Sequence, residues 1–411
     1  MSEAAASRDL PDLDTFREEI RRFLEAEAPP SLRGARGGEL DGIWGGRKER
    51  WDDKPDRKRW LDVMAARGYT APTWPREYGG AGLTPAHAKV LHQEMRRLEL
   101  PPPLIGFGLT MIGPTLLQFG TEEQKRKHLP RIVRGEIRWC QGYSEPDAGS
   151  DLASLKTRAV REGDHFIVTG QKVWTSYGDQ ADWMFLLVRT NPEAKKQEGI
   201  TFLLMDMDSP GVAVRPIKLI SGSSPFCETY LDRVRVPVSN VVGRIDGGWT
   251  VAKALLGHER SMIADAFGTG GGRRARNEAE TLAGFARRYL GEREGRLADP
   301  VLRDRLAQNE MDARVFELTL QRTRDAARAG QAPGPEASLF KLYGTELNQR
   351  RQELMVSIAG PAALGWEGPG FSEEELALTR NWLRSRGNTI EGGTSEIQLN
   401  IIAKRVLGLP D

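Results

Sequence analysis

The sequence predicts an α+β fold in three blocks: helical, then β, then helical again. Three observations carry this. Before about residue 137, apolar residues recur at helical spacing behind capping residues. Residues 165–237 break into short runs rich in β-branched and aromatic side chains, punctuated by Asn191-Pro192 and Ser209-Pro210-Gly211. From Gly247 onward helical spacing returns, interrupted by Gly/Pro loops at 268–272, 329–336 and 365–370. This order argues against a doubly wound nucleotide fold, whose strands and helices alternate. The division it gives is a helical domain at 1–137, a β-domain at 138–245 and a helical domain at 246–411.

In the first block, Thr15 and Glu18 read as a capping box ahead of Phe16, Ile20, Phe23 and Leu24. Thr84-Pro85 places a cap and a first-turn proline before 86–98. Thr121 and Gln124 form a second box, and Pro130 is expected to end or kink that helix. The β-block predicts strands within 165–178, 181–190, 199–207, 211–218 and 228–237. The last block has segments long enough for bundle helices.

Composition narrows the function. The 411 residues carry 59 Lys+Arg against 57 Asp+Glu, so no bulk field is available to hold nucleic acid or an anionic membrane. No apolar stretch approaches the ~18 residues of a membrane helix, and the N-terminus lacks the order of a signal peptide, so a cytoplasmic enzyme is expected. Two cysteines and five histidines, without HExxH, leave little for disulfide or zinc chemistry. The runs KRK at 125–127 and RRAR at 273–276 read as solvated helix faces. The 45 glycines ask for a local explanation.

Four segments suggest chemistry. GYSEPDAGSDLASL (142–155) is a shaped loop in which Ser144 and Ser150 offer hydroxyls and Gly142 and Gly149 permit close backbone approach. On spacing alone it is equally an ordinary Asx/Ser turn. GQKVWTSYGDQADW (170–183) sets the flat ring of Trp174 beside hydroxyls, although a Trp in a β-block is more often core. In GGWTVAKALLGHERSMIADA (247–266), Glu259 falls on the apolar stripe of Val251, Leu255, Met262 and Ala266. A carboxylate there becomes a stronger base through desolvation. Spacing alone favours a plain Glu259–Arg ion pair between helices. In NTIEGGTSEIQLNIIAKRVLG (388–408), Gly392-Gly393 leads into a helix starting near Thr394 or Ser395, with Ile397 and Ile401 on its buried side. That is an oxyanion site or a simple glycine-rich helix start.

Together with GYTAPTWPREYGGAGL (68–83) and FGTEEQKRKHLPRIVRGE (119–136), these runs resemble the acyl-CoA dehydrogenase family over nearly the whole chain. The resemblance implies an N-terminal α-helical domain, a middle β-barrel-like domain and a C-terminal four-helix bundle. It implies FAD as cofactor, with Tyr143, Ser144, Trp174, Ser176, Thr394 and Glu396 as contacts. Ser150 would touch the CoA portion of the substrate, and Arg260 would help hold the site. The implied reaction removes the α-proton of an acyl-CoA thioester to a carboxylate and the β-hydride to the flavin, with electrons passing to an electron-transfer flavoprotein. The thioester oxygen would take a backbone N–H from Gly392.

Most relatives place the catalytic Glu immediately before GTS. Here that position is Gly392, with Glu391 one residue earlier. A second branch uses a Glu just before an Arg on the first bundle helix, which is Glu259 before Arg260. The resemblance therefore points to Glu259 as base, with Glu391 the alternative, and to a tunnel widened for a branched, ringed or bulky acyl group. The family's inter-subunit RxxFG motif is not recognisable, and its QxxGGxG element is reduced to SIAGPAALG (357–365). The expected assembly is a homo-oligomer, dimer or tetramer, or a heteromer with a related small subunit. Competing readings are an acyl-CoA oxidase, a flavin monooxygenase or a non-catalytic flavin-binding partner subunit.

Overall fold

The computed structural model describes residues 10–34, 42–257, 281–329, 334–335 and 337–410. Its contacts divide the chain into two units, 1–217 with 225–255, and 218–224 with 256–411. Helical N- and C-terminal parts flank a curled sheet in the sequence. Among the described residues no helix is long and apolar enough to cross a membrane.

Among the described residues, five α-helices open the first unit: α1 (Leu13–Glu27), α2 (Pro55–Ala66), α3 (Pro85–Arg97), α4 (Gly113–Phe119) and α5 (Glu122–Val133). Phe16, Ile20 and Leu24 of α1, Trp60, Leu61 and Met64 of α2, and Val90, Leu91 and Met95 of α3 share one core. Helix α1 begins earlier than the Thr15 box predicts. Asp12 is its cap, accepting from the N–H groups of Asp14 and Thr15 at 3.0 Å. Thr84 caps α3, and the Thr121–Gln124 box on α5 is complete. Pro130 does not end α5, which continues to Val133. Burial of Leu129, Ile132 and Val133 around it offsets the one hydrogen bond a proline removes. Glu94 of α3 lies buried between Arg17 and Arg21 of α1 and Arg97. Burial alone raises its pKa, but the three guanidinium groups outweigh this and bring it to about 2.

The sheet has seven strands: β1 (Trp139–Gly142), β2 (Arg158–Glu162), β3 (His165–Ser176), β4 (Trp183–Arg189), β5 (Ile200–Asp206), β6 (Val212–Ile217) and β7 (Phe226–Pro237). Their order is β1-β4-β2-β3-β7-β6, with β5 added on β4. All five expected strands form. The sequence reading missed β1 and β2, which are only four and five residues long. Trp183 to Val188 and Ile200 to Met205 are buried at every position, so both faces of β4 and β5 are covered. Helix α5 is pinned to the sheet domain where Gln124 Nε2 donates to the carbonyls of Ser239 and Val241, at 2.8 and 2.7 Å. The loop at 45–47 is docked by the buried Asp182, whose Oδ2 accepts the N–H groups of Arg47 and Arg138 at 2.9 and 2.8 Å. Helix α6 is described over 248–257, with Val251, Ala252 and Leu255 buried.

In the second unit, α9 (Ala337–Ala359) is the central helix. It packs against α7 (Leu282–Leu290), α8 (Pro300–Arg328), α10 (Glu373–Ser385) and α11 (Ser395–Ile401). Leu282, Phe285, Leu306, Leu354, Ile358 and Leu378 form its largest core.

His128 of α5 is fully buried, edge-on to Trp139 and Trp183 at 5.2 and 4.7 Å. Burial, helped by Lys127 and Arg131, takes its pKa down to about 3. A depressed folded pKa means that its contribution is complete above the unfolded value of 6.5 and is lost as pH falls. Between pH ~6.5 and ~5 the wild-type protein should therefore lose stability faster than His128→Phe, by up to about 1.4 kcal/mol per pH unit. Urea unfolding at several pH values measures this, and parallel curves would refute it.

Candidate functional site

The signature loop 142–155 leaves β1 and runs along β3. Three contacts join them. The N–H of Val173 donates to the carbonyl of Ser144 at 2.9 Å, and Lys172 Nζ donates to the carbonyl of Tyr143 at 3.2 Å. Lys172 Nζ also pairs with Glu145 Oε1 at 2.8 Å. The lysine is fully buried and the glutamate nearly so. Glu145 accepts the N–H groups of Lys156 and Thr157 at 2.6 and 2.9 Å as well, closing the loop back on itself. Burial pulls the Lys172 pKa down to about 8, against the charge and hydrogen bond of Glu145. Burial raises that of Glu145, but Lys172 and the N–H donors reverse this and hold it below the usual range.

This clasp brings Ser144 next to the β3 bulge that carries Trp174. Between Lys172 and Thr175 the register with β7 shifts, and Trp174 adopts φ +60°. The residue is 55% exposed, its ring edge-on to Phe226 at 6.0 Å. A tryptophan in the core would be hidden; this one is turned out of the sheet by the bulge. Ser144 and Ser176 are half-buried, and Ser176 pairs with Phe226 across the sheet. Tyr143 differs: its ring is buried in the sheet core, edge-on to Phe185 and Phe202. Ser150 is exposed, two residues beyond the clasped turn Glu145–Ala148. The two glycines of the loop have different reasons. A Cβ at Gly142 would overlap Met184 of β4, whereas one at Gly149 would meet nothing within 4 Å. Gly142 is thus required by sheet packing rather than by a bound partner.

In the second unit the run 386–398 forms a clamped turn. Gly392 and Gly393 take φ +66° and +91°, the left-handed region open to glycine. Thr394 caps α11 by accepting the N–H of Ile397 at 3.3 Å. The buried residue of α11 is Gln398, whereas Ile397 and Ile401, expected on the buried side, are half-buried. Glu396 is exposed, and its own N–H and the Thr394 hydroxyl lower its pKa. Glu391 is committed: Arg384 Nη2 and Nη1 donate to it at 2.8 and 3.3 Å, and Asn388 Nδ2 donates at 2.7 Å. Lys341 of α9 is fully buried, and among the described residues its Nζ has no hydrogen-bond partner. Burial lowers its pKa, with Glu391, Glu396 and Glu346 opposing.

Glu259, Arg260 and the glycines at 268–272 lie outside the described residues. The structure brings together Tyr143, Ser144, Trp174 and Ser176 in the first unit, and Glu391, Gly392, Thr394 and Glu396 in the second. Sequence reasoning missed Lys172 and Glu145. Both stand inside the quoted motifs, but nothing in their spacing, 27 residues apart, marks them as a pair.

Chemically, the first set offers an exposed flat ring with half-buried hydroxyls, which fits a conjugated planar group. The second offers a rigid backbone turn whose neighbouring carboxylate is already neutralised. The family descriptions "Acyl-CoA dehydrogenase, N-terminal domain", "middle domain" and "C-terminal domain" match residues 11–136, 140–234 and 246–407. Acyl-CoA dehydrogenase IpdE1 of Mycolicibacterium smegmatis is 35% identical, covering 97% of this chain and 98% of that protein. A solved structure titled "Tcur3481-Tcur3483 steroid ACAD" is 34% identical, covers 100% of both chains and has a TM-score of 0.75. The ChsE4-ChsE5 complex from Mycobacterium tuberculosis is 29% identical with a TM-score of 0.69, covering 98% of this chain and 99% of that chain.

Removing one member of a buried ion pair leaves the other charge stranded. Lys172→Met should cost about 3–5 kcal/mol in chemical denaturation. The double variant Lys172→Met/Glu145→Leu should recover part of that loss. Equal stability of all three proteins would show that the clasp contributes nothing.

Proposed function

The chain belongs to the acyl-CoA dehydrogenase family, whose members are flavoproteins, and from that premise we propose that it desaturates a bulky, ringed acyl-CoA at the α,β bond, using Glu259 as base. That it is an enzyme of this class follows from the family match and from relatives similar over almost the whole chain. The finer reading rests on one observation, the commitment of Glu391 to Arg384 and Asn388 beside a glycine at 392.

Dehydrogenation of a thioester needs a base for a weakly acidic α-proton, a donor for the developing oxyanion and an acceptor for the β-hydride. FAD, when bound, supplies the hydride acceptor. Tyr143, Ser144, Trp174, Ser176, Thr394 and Glu396 would hold it. The exposed Trp174 ring beside Ser144 and Ser176 suits a planar ring, and the buried Tyr143 ring leaves its main chain for any contact. The α-proton goes to Glu259. Val251 and Leu255 are buried on one face of α6, and 259 is the next step of the same four-residue spacing. Glu391 is oriented by Arg384 and Asn388, which hold its carboxylate in the turn. The N–H of Gly392 donates to the thioester oxygen, Ser150 contacts the CoA portion and Arg260 steadies the base.

Glycine at 392 places no side chain in the acyl path. A solved relative titled a steroid ACAD supports a ringed substrate. Relatives titled as pairs of chains support an oligomer, of this chain alone or with a related small subunit. Electrons would leave to an electron-transfer flavoprotein, in the cytoplasm.

Anaerobic mixing of the yellow protein with a panel of acyl-CoAs tests the reading through flavin bleaching. Steroid-like or branched thioesters should bleach it, and a preference confined to short straight chains would overturn the substrate assignment. Rapid recolouring on air would favour an oxidase. Glu259→Gln should keep the flavin and slow bleaching by about 10²–10⁴-fold. Glu391→Gln should stay within about tenfold of wild type while lowering the melting temperature. The opposite ranking would move the base to Glu391.

A further inference from the structure

We infer that Gln398 is the positioning residue for the Gly392–Gly393 turn, an inference that rests on the reading of Gly392 as the oxyanion donor. Two successive glycines in the left-handed region have the widest backbone freedom of any pair, so a fixed N–H direction at Gly392 requires anchors outside the turn. The anchor on the N-terminal side is Glu391, held by Arg384 and Asn388, with its own N–H donated to the carbonyl of Gly387 at 3.0 Å. On the C-terminal side, Thr394 fixes the start of α11.

Between these anchors, the carbonyls of Gly392 and Gly393 both accept from one group, Gln398 Nε2, at 3.2 and 3.4 Å. Gln398 is only 2% exposed, so its side chain is held by packing and water has little access to its amide donor. With two carbonyl oxygens in front of it, only the NH₂ end of the amide can face the turn. The side chain also accounts for the glycine at 393: a Cβ there would lie 2.5 Å from Gln398 Nε2, in addition to the strain of φ +91°. With the Glu391 side chain fixed before Gly392 and the Gly392 carbonyl fixed after it, the peptide plane carrying the Gly392 N–H is held from both ends. Gln398 therefore acts through the backbone and touches no reacting atom.

The test uses the full, FAD-loaded chain with Gln398→Met, which keeps the volume and removes the donor. Amide hydrogen exchange of 386–394, read by mass spectrometry without substrate, should accelerate while the helices keep wild-type protection. Flavin reduction by a bleaching acyl-CoA should slow by roughly 10–100-fold with the substrate Kd changed less than about threefold, since misplacing a donor costs transition-state rather than ground-state binding. If Gln398→Met does not fold, Gln398→Glu, which keeps the shape but removes the donor at neutral pH, decides in its place. Unchanged exchange in 386–394 overturns the inference, and so does accelerated exchange with an undiminished reduction rate. If no acyl-CoA reduces the wild-type flavin, the dehydrogenase reading fails by itself. The exchange result then still decides whether Gln398 holds the turn.

Discussion

The pair Lys172–Glu145 sets the geometry on which the first half of the candidate site depends. Removing an ammonium and a carboxylate from water costs several kcal/mol for each ion, and that cost is tolerable only when every remaining polar valence is met. Glu145 meets it with Lys172 and the N–H groups of Lys156 and Thr157, and Lys172 adds the carbonyl of Tyr143. A loop with so many buried obligations has few other conformations available. Ser144 is consequently fixed against the strand that carries Trp174, and the bulge turns that ring outward instead of into the core. The motif reads as a flexible Gly/Ser run, yet its shape is dictated by the two charges inside it.

Carboxylates divide the labour elsewhere too. Glu94 is surrounded by three arginines and joins α1 to α3, Asp182 gathers two backbone N–H groups to dock the 45–47 loop, and Glu391 is paired with Arg384 and accepts a hydrogen bond from Asn388. Each is tied to structure by these contacts. In a chain with two cysteines and five histidines, acid–base work falls most naturally to a carboxylate, and Glu259 is the one proposed for it.

Several local features were legible because they involve neighbours in the chain. Thr84 with Pro85 and the Thr121–Gln124 box cap their helices as read, and the apolar runs at 183–188 and 200–205 form the buried strands. Where local signals failed, a longer-range term had won. Asp12 took the cap expected of Thr15 because it reaches two N–H groups at once. Pro130 stayed within α5 because its neighbours are buried in the core. Strands β1 and β2 are too short to show a period, and they exist because β4 and β3 offer them edges.

The sequence by itself determined the block order, the five longer strands, most caps and the family, since these follow from spacing and motif. It also exposed the substitution of glycine at 392. Only the tertiary structure decided that Tyr143 serves the core while Trp174 is presented, that Glu391 is held by Arg384 and that Gln398 braces the glycine turn. Those outcomes depend on partners and burial that side chains acquire only on folding. The glycines that stood out in the composition divide on the same principle: Gly142 answers to Met184 and Gly393 to Gln398, neighbours the fold brings against them.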